Sequence, residues 1–511
     1  MEFNLLKACS NTYGLLLLLF ILCLTFCYPR RRKGIPPGPL LVPVLGNLLS
    51  LASRDPMSRF AALRRKYGDV YGIYIGRELT VVLNGYDVIH DALVKHGKLF
   101  SVRPRSKFHQ IMFKDPGIVF ANGPMWKEHR QFAQRALNEF GYEWSERTIE
   151  ERINEEIGYF LRTVGSHDGP YDVGGLVNLS VANVVAGIMF GKRCEYDDVK
   201  FKECLHSVGE AARLLTRSGL LMSLFPWLFH APGDLLGIDK LAKIREKPRA
   251  FLNHVFYWHD LHFNREETRD VLGLYKQEII RKLRKNDECK FNNVTMRALM
   301  GELLSAGSET TATCIIWTIL YLVLNQELQE KLRSDIDRVV GCKRPPFLSD
   351  RKQLPLVEAT ILECLRISPV APLSVPHAVH EDVSFRGHVI PAETTVLVNI
   401  HSVMKDPSTW SEPDVFKPER FLNNDGDLEI PNEFIAFSIG RRSCPGESLA
   451  RMELFLYVTS LLQRFTLALP TSQPPPTTEG VLGMTFSPKP FQIIFTPRDC
   501  MSNPDWENVG I

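Results

Sequence analysis

The spacing of apolar and polar residues predicts a chain that is mainly helical. Apolar positions recur at helical spacing from Pro56 to Tyr67, again from Trp126 onward, and over most of 147–285. The run from Val294 to Leu324 predicts one long helix. A further helical run ends before Pro369, because proline cannot continue a helix.

Short β-rich runs lie between these helices. Val70 to Ile75 and Thr80 to Leu83 meet around Gly76, which predicts a hairpin. Asp382 to Val398 alternates in the manner of strands and predicts a second small sheet. No G-x-G-x-x-G motif follows a strand, so we expect no dinucleotide site. Electrons for a redox reaction would then have to come from another protein.

The first apolar run predicts a membrane anchor. No residue from Ala8 to Pro29 is charged, and this length is sufficient to span a bilayer. Arg30 to Lys33 follow directly, so the positive-inside rule places the body of the protein on the cytosolic side. A cleaved signal peptide is the weaker alternative, because the basic residues stand on the wrong flank. The prolines of Gly34 to Pro39 favour a rigid hinge over a plain linker.

Composition narrows the class of protein. The chain has 511 residues, so one large domain and two lobes are both open, and its net charge of +3 gives no reason to expect nucleic-acid binding. The 11 cysteines are dispersed and include no C-x-x-C pair. This argues against a disulfide framework and favours a reducing compartment.

One cysteine stands in a setting suited to metal binding. Phe437 to Gly446 reads FSIGRRSCPG, in which Cys444 lies between Gly440 and Gly446 and follows two arginines. The glycines allow a tight turn and the close approach of a flat ligand, while the following helix start and the arginines are expected to stabilise a thiolate. A lone thiolate does not make a tetrahedral zinc site, but it can be the single protein ligand of haem iron. The alternative is an inert buried cysteine.

The same stretch matches F-x-x-G-x-R-x-C-x-G, the haem-loop motif of the cytochrome P-450 family, and the chain resembles animal microsomal members of that family from about Pro36 to Pro497. Their group holds drug-, fatty-acid- and steroid-hydroxylating enzymes. The resemblance implies a mainly α fold with small β-sheets, in which haem b lies between a long central helix and the cysteine loop, with Cys444 as axial ligand of the iron. The motif residues that would hold the cofactor are Phe437, Gly440, Arg442, Cys444 and Gly446.

The middle of the predicted long helix carries a second motif. Ala306 to Thr311 reads AGSETT, and Thr310 is placed to donate a hydrogen bond to the carbonyl of Ala306 and loosen the helix. Gly307 costs about 1 kcal/mol relative to alanine, which indicates that space is needed there. The resemblance implies that Ala306 adjoins the haem and that Glu309 and Thr310 deliver protons to bound oxygen. Without it, a threonine and a glutamate on a helix are commonplace.

Trp126 and Arg130 lie one helical turn apart, so both can bind one carboxylate. Without further evidence, the two side chains of such a pair more often only pack against neighbouring residues. The resemblance assigns it to a haem propionate and names His377 as a further propionate partner.

Glu363 and Arg366 lie side by side at i and i+3, which alone predicts only a weak surface pair. The resemblance adds Arg420 and implies a buried network of three charges behind the haem loop.

The substrate side is predicted from apolar character and family position. Leu220 to Phe229 is an apolar patch that favours core packing or, by resemblance, a lid that dips into the membrane. The predicted pocket residues are Ile118, Phe120, Val370, Leu373 and Phe486, together with Ala306. Because these residues are apolar, we expect an apolar substrate such as a steroid, a fatty acid or a xenobiotic.

The predicted function is that of a haem-thiolate monooxygenase, which inserts one oxygen atom of O2 into a C–H bond. The implied partners are an NADPH-dependent cytochrome reductase and, as a second donor, cytochrome b5. They would dock on a basic face made of Lys127, Arg130, Arg135 and Arg441, although for Arg135 a plain solvated surface is an equal alternative. One rival is a peroxide isomerase or dehydratase of the same fold that needs no reductase, against which the Glu309–Thr310 pair speaks. The other is a non-catalytic haem-binding protein.

The implied location is the endoplasmic reticulum membrane, with a single span and a cytosolic catalytic domain. The expected segments are an anchor with its basic stop (1–33), a proline-rich hinge (34–50), a haem-thiolate catalytic domain (51–497) and a C-terminal tail (498–511).

Overall fold

The computed structural model describes residues 14, 33–53, 55–105, 117–142, 148–225, 228–229, 232–264, 270–284, 290–483 and 485–498. The predicted membrane anchor, most of the C-terminal tail and part of the predicted lid lie outside these residues. Among the described helices, Asn293–Leu324 is long and apolar enough to cross a membrane by length and composition, but 72% of its apolar window is buried inside the protein. A helix that is apolar on every side is typical of a protein core.

The helices, in chain order, are α1 (Leu48–Leu51), α2 (Pro56–Tyr67), α3 (Tyr86–His90), α4 (Gly123–Tyr142), α5 (Ile149–Gly165), α6 (Gly174–Phe190), α7 (Val199–Leu224), α8 (Ile238–His262), α9 (Val271–Arg284), α10 (Asn293–Leu324), α11 (Gln326–Val339), α12 (Pro355–Ile367), α13 (His401–Met404) and α14 (Glu447–Arg464). The strands are β1 (Val70–Ile75), β2 (Glu78–Leu83), β3 (His377–Ala378), β4 (Val383–Phe385), β5 (His388–Ile390), β6 (Thr395–Val398), β7 (Phe465–Ala468), β8 (Gly480–Leu482), β9 (Phe486–Pro488) and β10 (Ile494–Pro497).

The predicted helices near the start of the described chain are confirmed. α2 begins and ends at the predicted residues, because Asp55 Oδ1 accepts hydrogen bonds from the N–H groups of Met57 and Ser58 at 3.0 and 3.2 Å. At the other end Gly68 adopts φ +90°, a conformation in which other residues are strained. α4 begins at Gly123, three residues before Trp126.

The strands of the described chain form one four-stranded sheet in the order β1-β2-β6-β3 and three pairs, β4-β5, β7-β10 and β8-β9. The predicted hairpin is confirmed, with Val70 opposite Leu83. The expectation of one second sheet within Asp382–Val398 is partly wrong. β4 and β5 pair with each other, whereas β6 joins the first sheet parallel to β2. Alternation identifies a strand but not its partner, since a parallel pairing joins distant parts of the chain.

The described chain forms two compact units. Unit 1 comprises Met1–Gln110, Leu215–Ile238 and Leu373–Ser402, and unit 2 comprises Ile111–Leu214, Asp239–Pro372 and Val403–Ile511. Unit 1 contains the four-stranded sheet, which packs against α2 through a small apolar core. Unit 2 contains most of the long helices, and within it α10 packs against α6, α12 and α14.

The predicted long helix is confirmed as α10, beginning one residue earlier than expected. Asn292 Oδ1 accepts hydrogen bonds from the N–H groups of Val294 and Thr295 at 2.9 and 3.0 Å, and Thr295 Oγ1 accepts one from the Asn292 N–H at 3.1 Å. This reciprocal cap satisfies the first backbone donors and fixes where the helix starts. α10 then carries the candidate site at its middle.

Candidate functional site

The cysteine loop reverses the chain just before α14. The Cys444 N–H donates to the Phe437 carbonyl at 2.9 Å, and the Ser443 N–H donates to the Gly440 carbonyl at 3.2 Å. Gly440 adopts φ +77°, which explains the glycine at this position. Gly446 precedes α14, and a Cβ there would lie 3.9 Å from Cys444 Sγ. A side chain at Gly446 would therefore stand beside the sulfur.

Cys444 differs from the other cysteines that the structure describes. It is exposed, whereas Cys342 is half-buried and four further cysteines are buried: Cys194, Cys204, Cys314 and Cys364. Its exposed surface nevertheless lies within the protein body, and burial raises the pKa of the Cys444 thiol despite the opposing Gly446 N–H and Arg130. Arg130 and the Gly446 N–H favour the thiolate, in the direction expected of neighbouring positive charge, but burial and Glu447 outweigh them. A cation bound to the sulfur would favour loss of the thiol proton, as in a metal–thiolate site.

The two arginines of the loop are turned toward Trp126, which explains why they do little for the sulfur. The guanidinium of Arg442 lies 3.8 Å from the centre of the Trp126 ring and that of Arg441 lies 5.9 Å from it. Arg442 is buried, and its Nη2 donates to the Ala121 carbonyl at 2.7 Å. Arg442 thus joins the cysteine loop to the segment that precedes α4.

Trp126 and Arg130, on α4, provide polar donors next to the loop. The Arg130 Nη2 donates to Ser443 Oγ at 3.3 Å. The Trp126 Nε1 is buried and has no hydrogen-bond partner in the part of the chain that the structure describes. A buried indole N–H normally finds an acceptor, so this donor fits an anionic group such as a carboxylate.

α10 presents Ala306 and Thr310 on a less buried strip. Ala306 is exposed, while the next turn, from Thr311 to Ile315, is buried. The predicted bond is confirmed, since Thr310 Oγ1 donates to the Ala306 carbonyl at 2.7 Å. The expectation that space is needed at Gly307 is confirmed, but the space is taken by a neighbouring helix. A Cβ there would lie 3.0 Å from Val185 Cγ2 on α6, so the glycine permits two helices to pack closely rather than leaving room for a flat ligand.

α10 and the cysteine loop lie within electrostatic range of each other. Burial raises the pKa of Cys314 on α10 to about 12, and Cys444 adds to the increase. The Cys314 thiol on the helix therefore lies close enough to the loop for Cys444 to affect its pKa.

Glu309 is held by a residue that sequence reasoning missed. Thr485 Oγ1 donates to Glu309 Oε1 at 3.3 Å, and the Thr485 side chain is buried. A small recess of about 30 Å³ lies beside Glu309 and is lined by Asn178, Leu205, Leu252, Ser305 and Ser308, among others. Thr485 lies 176 residues from Glu309 in the chain, and no local pattern marks it.

Glu302 is a second residue that the sequence did not reveal. Its carboxylate accepts hydrogen bonds from three consecutive N–H groups, those of Gly117, Ile118 and Val119, at 3.0, 2.6 and 2.7 Å. A Cβ at Gly117 would lie 2.7 Å from Glu302 Oε2, so only glycine allows this approach. The available signal was an acid one turn before Ala306 on an apolar helix.

A third unforeseen residue is Glu453 on α14. Its side chain is 1% exposed and bonded to the Thr311 hydroxyl, and its Oε1 has no hydrogen-bond partner among the described residues. Burial raises the pKa of Glu453 well above its ordinary value. Glu453 is therefore bonded to the neighbour of Thr310 on α10, in a setting that favours its protonated form.

The residues predicted for the substrate pocket differ in how far they are buried and in the compact unit to which they belong. Ile118 and Val370 are buried in unit 2, and Phe120 is half-buried. The Phe486 ring stacks on Trp317 with ring centres 5.6 Å apart. Leu373 and His377 belong to unit 1. There Leu373 packs beside the sheet, and the buried His377 ring bonds through Nδ1 to the Phe100 carbonyl at 2.6 Å.

The predicted three-charge network is present in unit 2. Arg366 donates to Glu363 through Nε and Nη2 at 2.6 and 2.9 Å, and both side chains are fully buried. Arg420 Nε lies 3.1 Å from Glu363 Oε2, and the Lys417 N–H donates to Glu363 Oε1 at 2.9 Å. The Arg366 Nη1 donates to the carbonyls of Met404 and Pro413, so every partner in this network is paired.

A comparison with protein families decides the class. Residues 36–495 match the family described as Cytochrome P450. The chain belongs to the cytochrome P450 family. Its relatives include Cytochrome P450 2U1 of Mus musculus, 34% identical over 508 residues that cover 95% of each chain. Another is Cytochrome P450 2D6 of Homo sapiens, 35% identical over 493 residues that cover 94% of this chain and 97% of the relative.

Membership of the cytochrome P450 family identifies this chain as a haem-dependent monooxygenase that uses haem b and takes its electrons ultimately from NADPH. The observed mainly helical fold with small sheets agrees with that family. The residues present also fit a haem: one exposed cysteine, a buried indole donor without a partner, and a guanidinium beside the loop.

Proposed function

We propose that this P450 inserts one oxygen atom of O2 into a C–H bond of an apolar substrate, a steroid, a fatty acid or a xenobiotic. The observation that carries the proposal is the Thr310–Ala306 hydrogen bond of 2.7 Å on the less buried strip of α10, with Glu309 next in the chain. An alcohol beside an acid on that strip supplies the protons that oxygen activation requires. A peroxide isomerase of the same fold has no need of such a pair.

In this proposal Cys444 of the cysteine loop would be the ligand of the haem iron, and Ala306 of α10 would adjoin the haem. Bound haem supplies the redox chemistry, and the protein supplies binding, orientation and protons. Trp126, Arg130 and His377 bind the propionates, since their N–H donors suit carboxylates. Phe437, Gly440, Arg442 and Gly446 shape the loop.

Thr310 and Glu309 have different roles in proton delivery. Because the Thr310 hydroxyl donates to the Ala306 carbonyl, its lone pairs are free to accept a hydrogen bond from a water on the open side. Glu309 adjoins the recess beside α10, through which water reaches its carboxylate. Glu363, Arg366 and Arg420 keep the segment behind the loop in place.

The substrate pocket is formed by Ile118, Phe120, Ala306, Val370, Leu373 and Phe486, and its apolar character sets the substrate class. Glu302 positions this pocket indirectly, because it holds the N–H groups of Gly117, Ile118 and Val119.

Electrons arrive from an NADPH-dependent reductase, with cytochrome b5 as a second donor. The docking face consists of Lys127, Arg130, Arg135 and Arg441. Arg135 contributes less than the others, because its Nη2 lies 3.9 Å from Glu278 and that carboxylate offsets its charge. The proposed location is the endoplasmic reticulum membrane, with segment 1–33 as anchor, 34–50 as hinge, 51–497 as cytosolic catalytic domain and 498–511 as tail.

The ligand assignment is tested with Cys444→Ser. We expect this variant to lose the Soret band typical of a thiolate-ligated, reduced carbon monoxide complex, because a serine hydroxyl does not supply a thiolate. The matched control is Cys342→Ser, which changes a half-buried cysteine far along the chain and should keep the band. A band retained in Cys444→Ser would overturn the assignment.

The reaction class is tested with the purified full chain, reductase and a panel of lipids and steroids. Product that depends on NADPH and reductase supports the monooxygenase. Product from lipid hydroperoxides in the absence of both would support the isomerase instead.

A further inference from the structure

The turn between β8 and β9 is fastened to α10 by contacts two helical turns apart. At one end Thr485 Oγ1 donates to Glu309 at 3.3 Å. At the other end the Trp317 Nε1 donates to the Phe486 carbonyl at 2.9 Å, and the two rings stack. The Phe486 N–H also donates to the Val370 carbonyl at 2.8 Å. These contacts leave the backbone of the turn little freedom to shift along the helix.

The number of available protons determines which group donates each of the two hydrogen bonds at Thr485. A threonine hydroxyl has one proton, and Thr485 Oγ1 lies within bonding distance of both Glu309 and Ser487 Oγ, the latter at 2.9 Å. When Glu309 is ionised it only accepts, so Thr485 donates to it and Ser487 donates to Thr485. When Glu309 is protonated it can donate to Thr485, and both hydroxyls rotate to reverse the chain. The Ser487–Thr485 pair can therefore hydrogen-bond to Glu309 whether its carboxyl group is ionised or protonated.

We propose that Thr485 is a positioning residue for Glu309, and that the Ser487–Thr485 hydroxyl pair holds the carboxyl group in one orientation through its cycle of proton loss and gain. This inference rests on the proposed proton-delivery function of Glu309. It also ties that function to the β8–β9 turn, so the acid and the turn move together.

The test compares Thr485→Val, which keeps the shape of the side chain but removes the hydroxyl, with Thr485→Ser, which keeps the hydroxyl. We expect Thr485→Val to lower the product formed per NADPH about three- to tenfold, as for loss of one hydrogen bond of ordinary strength, and Thr485→Ser to restore it. The substrate dissociation constant from spectral titration should stay the same. Thr459→Val is the matched control, because it removes a buried hydroxyl that donates to the Phe455 carbonyl at 2.7 Å on α14.

A thermodynamic cycle gives a readout that does not depend on catalysis. The thermal unfolding midpoint of the full chain is measured for Thr485→Val, Glu309→Ala and the double variant. We expect Thr485→Val to lower the midpoint more in the natural background than in the Glu309→Ala background, where only the hydrogen bond to Ser487 is lost. Additive effects of the two substitutions on the midpoint would overturn the inference, and so would a fall in product yield that persists in the Glu309→Ala background.

The two proposals fail in different ways. If Glu309→Ala leaves the product per NADPH unchanged, the proton-delivery function of Glu309 is wrong. The midpoint cycle then decides the positioning claim alone, with non-additive midpoints supporting it and additive midpoints overturning it.

Discussion

Glu363 and Arg366 form a bidentate ion pair in which neither side chain is exposed to solvent. Removing one partner leaves the other charge buried, which costs about 3–5 kcal/mol. We therefore expect Arg366→Met to lower the free energy of unfolding by that amount, measured by urea unfolding followed by circular dichroism.

The matched control is Arg338→Met. Arg338 also pairs at i and i+3, with Asp335, but its side chain is 65% exposed. Its removal should cost at most about 1 kcal/mol. Equal effects of the two substitutions would show that burial of the Glu363 pair is not what stabilises this region.

Thr310→Ala should change the fate of electrons without weakening the fold. Loss of the hydroxyl is expected to lower product per NADPH by about tenfold and to raise peroxide release, because general acid–base catalysis at this step is impaired. Stability should hold, since alanine is the better helix former. Thr318→Ala removes a hydroxyl with the same bond geometry, to the Cys314 carbonyl at 2.8 Å, and should leave coupling intact. Unchanged coupling in Thr310→Ala would remove Thr310 from the proton path.

Gly307→Ala tests the helix contact between α10 and α6. The new methyl group would lie 3.0 Å from Val185 Cγ2, whose β-branched side chain has little freedom in a helix. Overpacking of about 1–3 kcal/mol should outweigh the gain of about 1 kcal/mol in helix propensity. In contrast, Gly301→Ala meets only the end of Leu252 at 3.3 Å and should be neutral or stabilising. The thermal unfolding midpoints of both variants are compared with that of the natural protein. A midpoint that is not lowered in Gly307→Ala would contradict the close contact with Val185.

Glu453→Gln should alter how stability depends on pH. The folded-state pKa of Glu453 lies well above the unfolded value, so its favourable contribution is complete at low pH and is lost as the pH rises toward the folded pKa. Glutamine is neutral throughout. We expect the variant to be more stable than the natural protein at about pH 7, with an advantage that shrinks toward about pH 4, where both side chains are neutral.

Urea unfolding between these pH values measures this difference directly. Parallel stability curves for the two proteins would mean that the pKa of Glu453 is the same in the folded and unfolded states.

Local patterns predicted the parts of the fold that depend on neighbouring residues. The helix from Pro56 to Tyr67, the hairpin opposite Leu83 and the bond from Thr310 to Ala306 each join residues within one helix or one hairpin. The proposed haem loop was identified in the same way, because its motif is contiguous around Cys444.

The features that escaped prediction join residues far apart in the chain. Thr485 meets Glu309 across 176 positions, and Glu302 meets Gly117 across 185. The pairing of β6 with β2 is another case, since alternation marks both strands but not their adjacency. The sequence showed that Gly307 lowers the helix propensity of α10. Only the position of Val185 revealed why a glycine stands there.

The carboxylate of Glu302 has a consequence for chimeras between relatives. Gly117, Ile118 and Val119 each direct an amide at it, so the loop and the acid form one exchangeable cassette. Transplanting the loop alone into another member of the family would strand those amides unless the recipient carries an acid at the corresponding place on its central helix. Designers who swap such loops to alter selectivity should therefore move both pieces together.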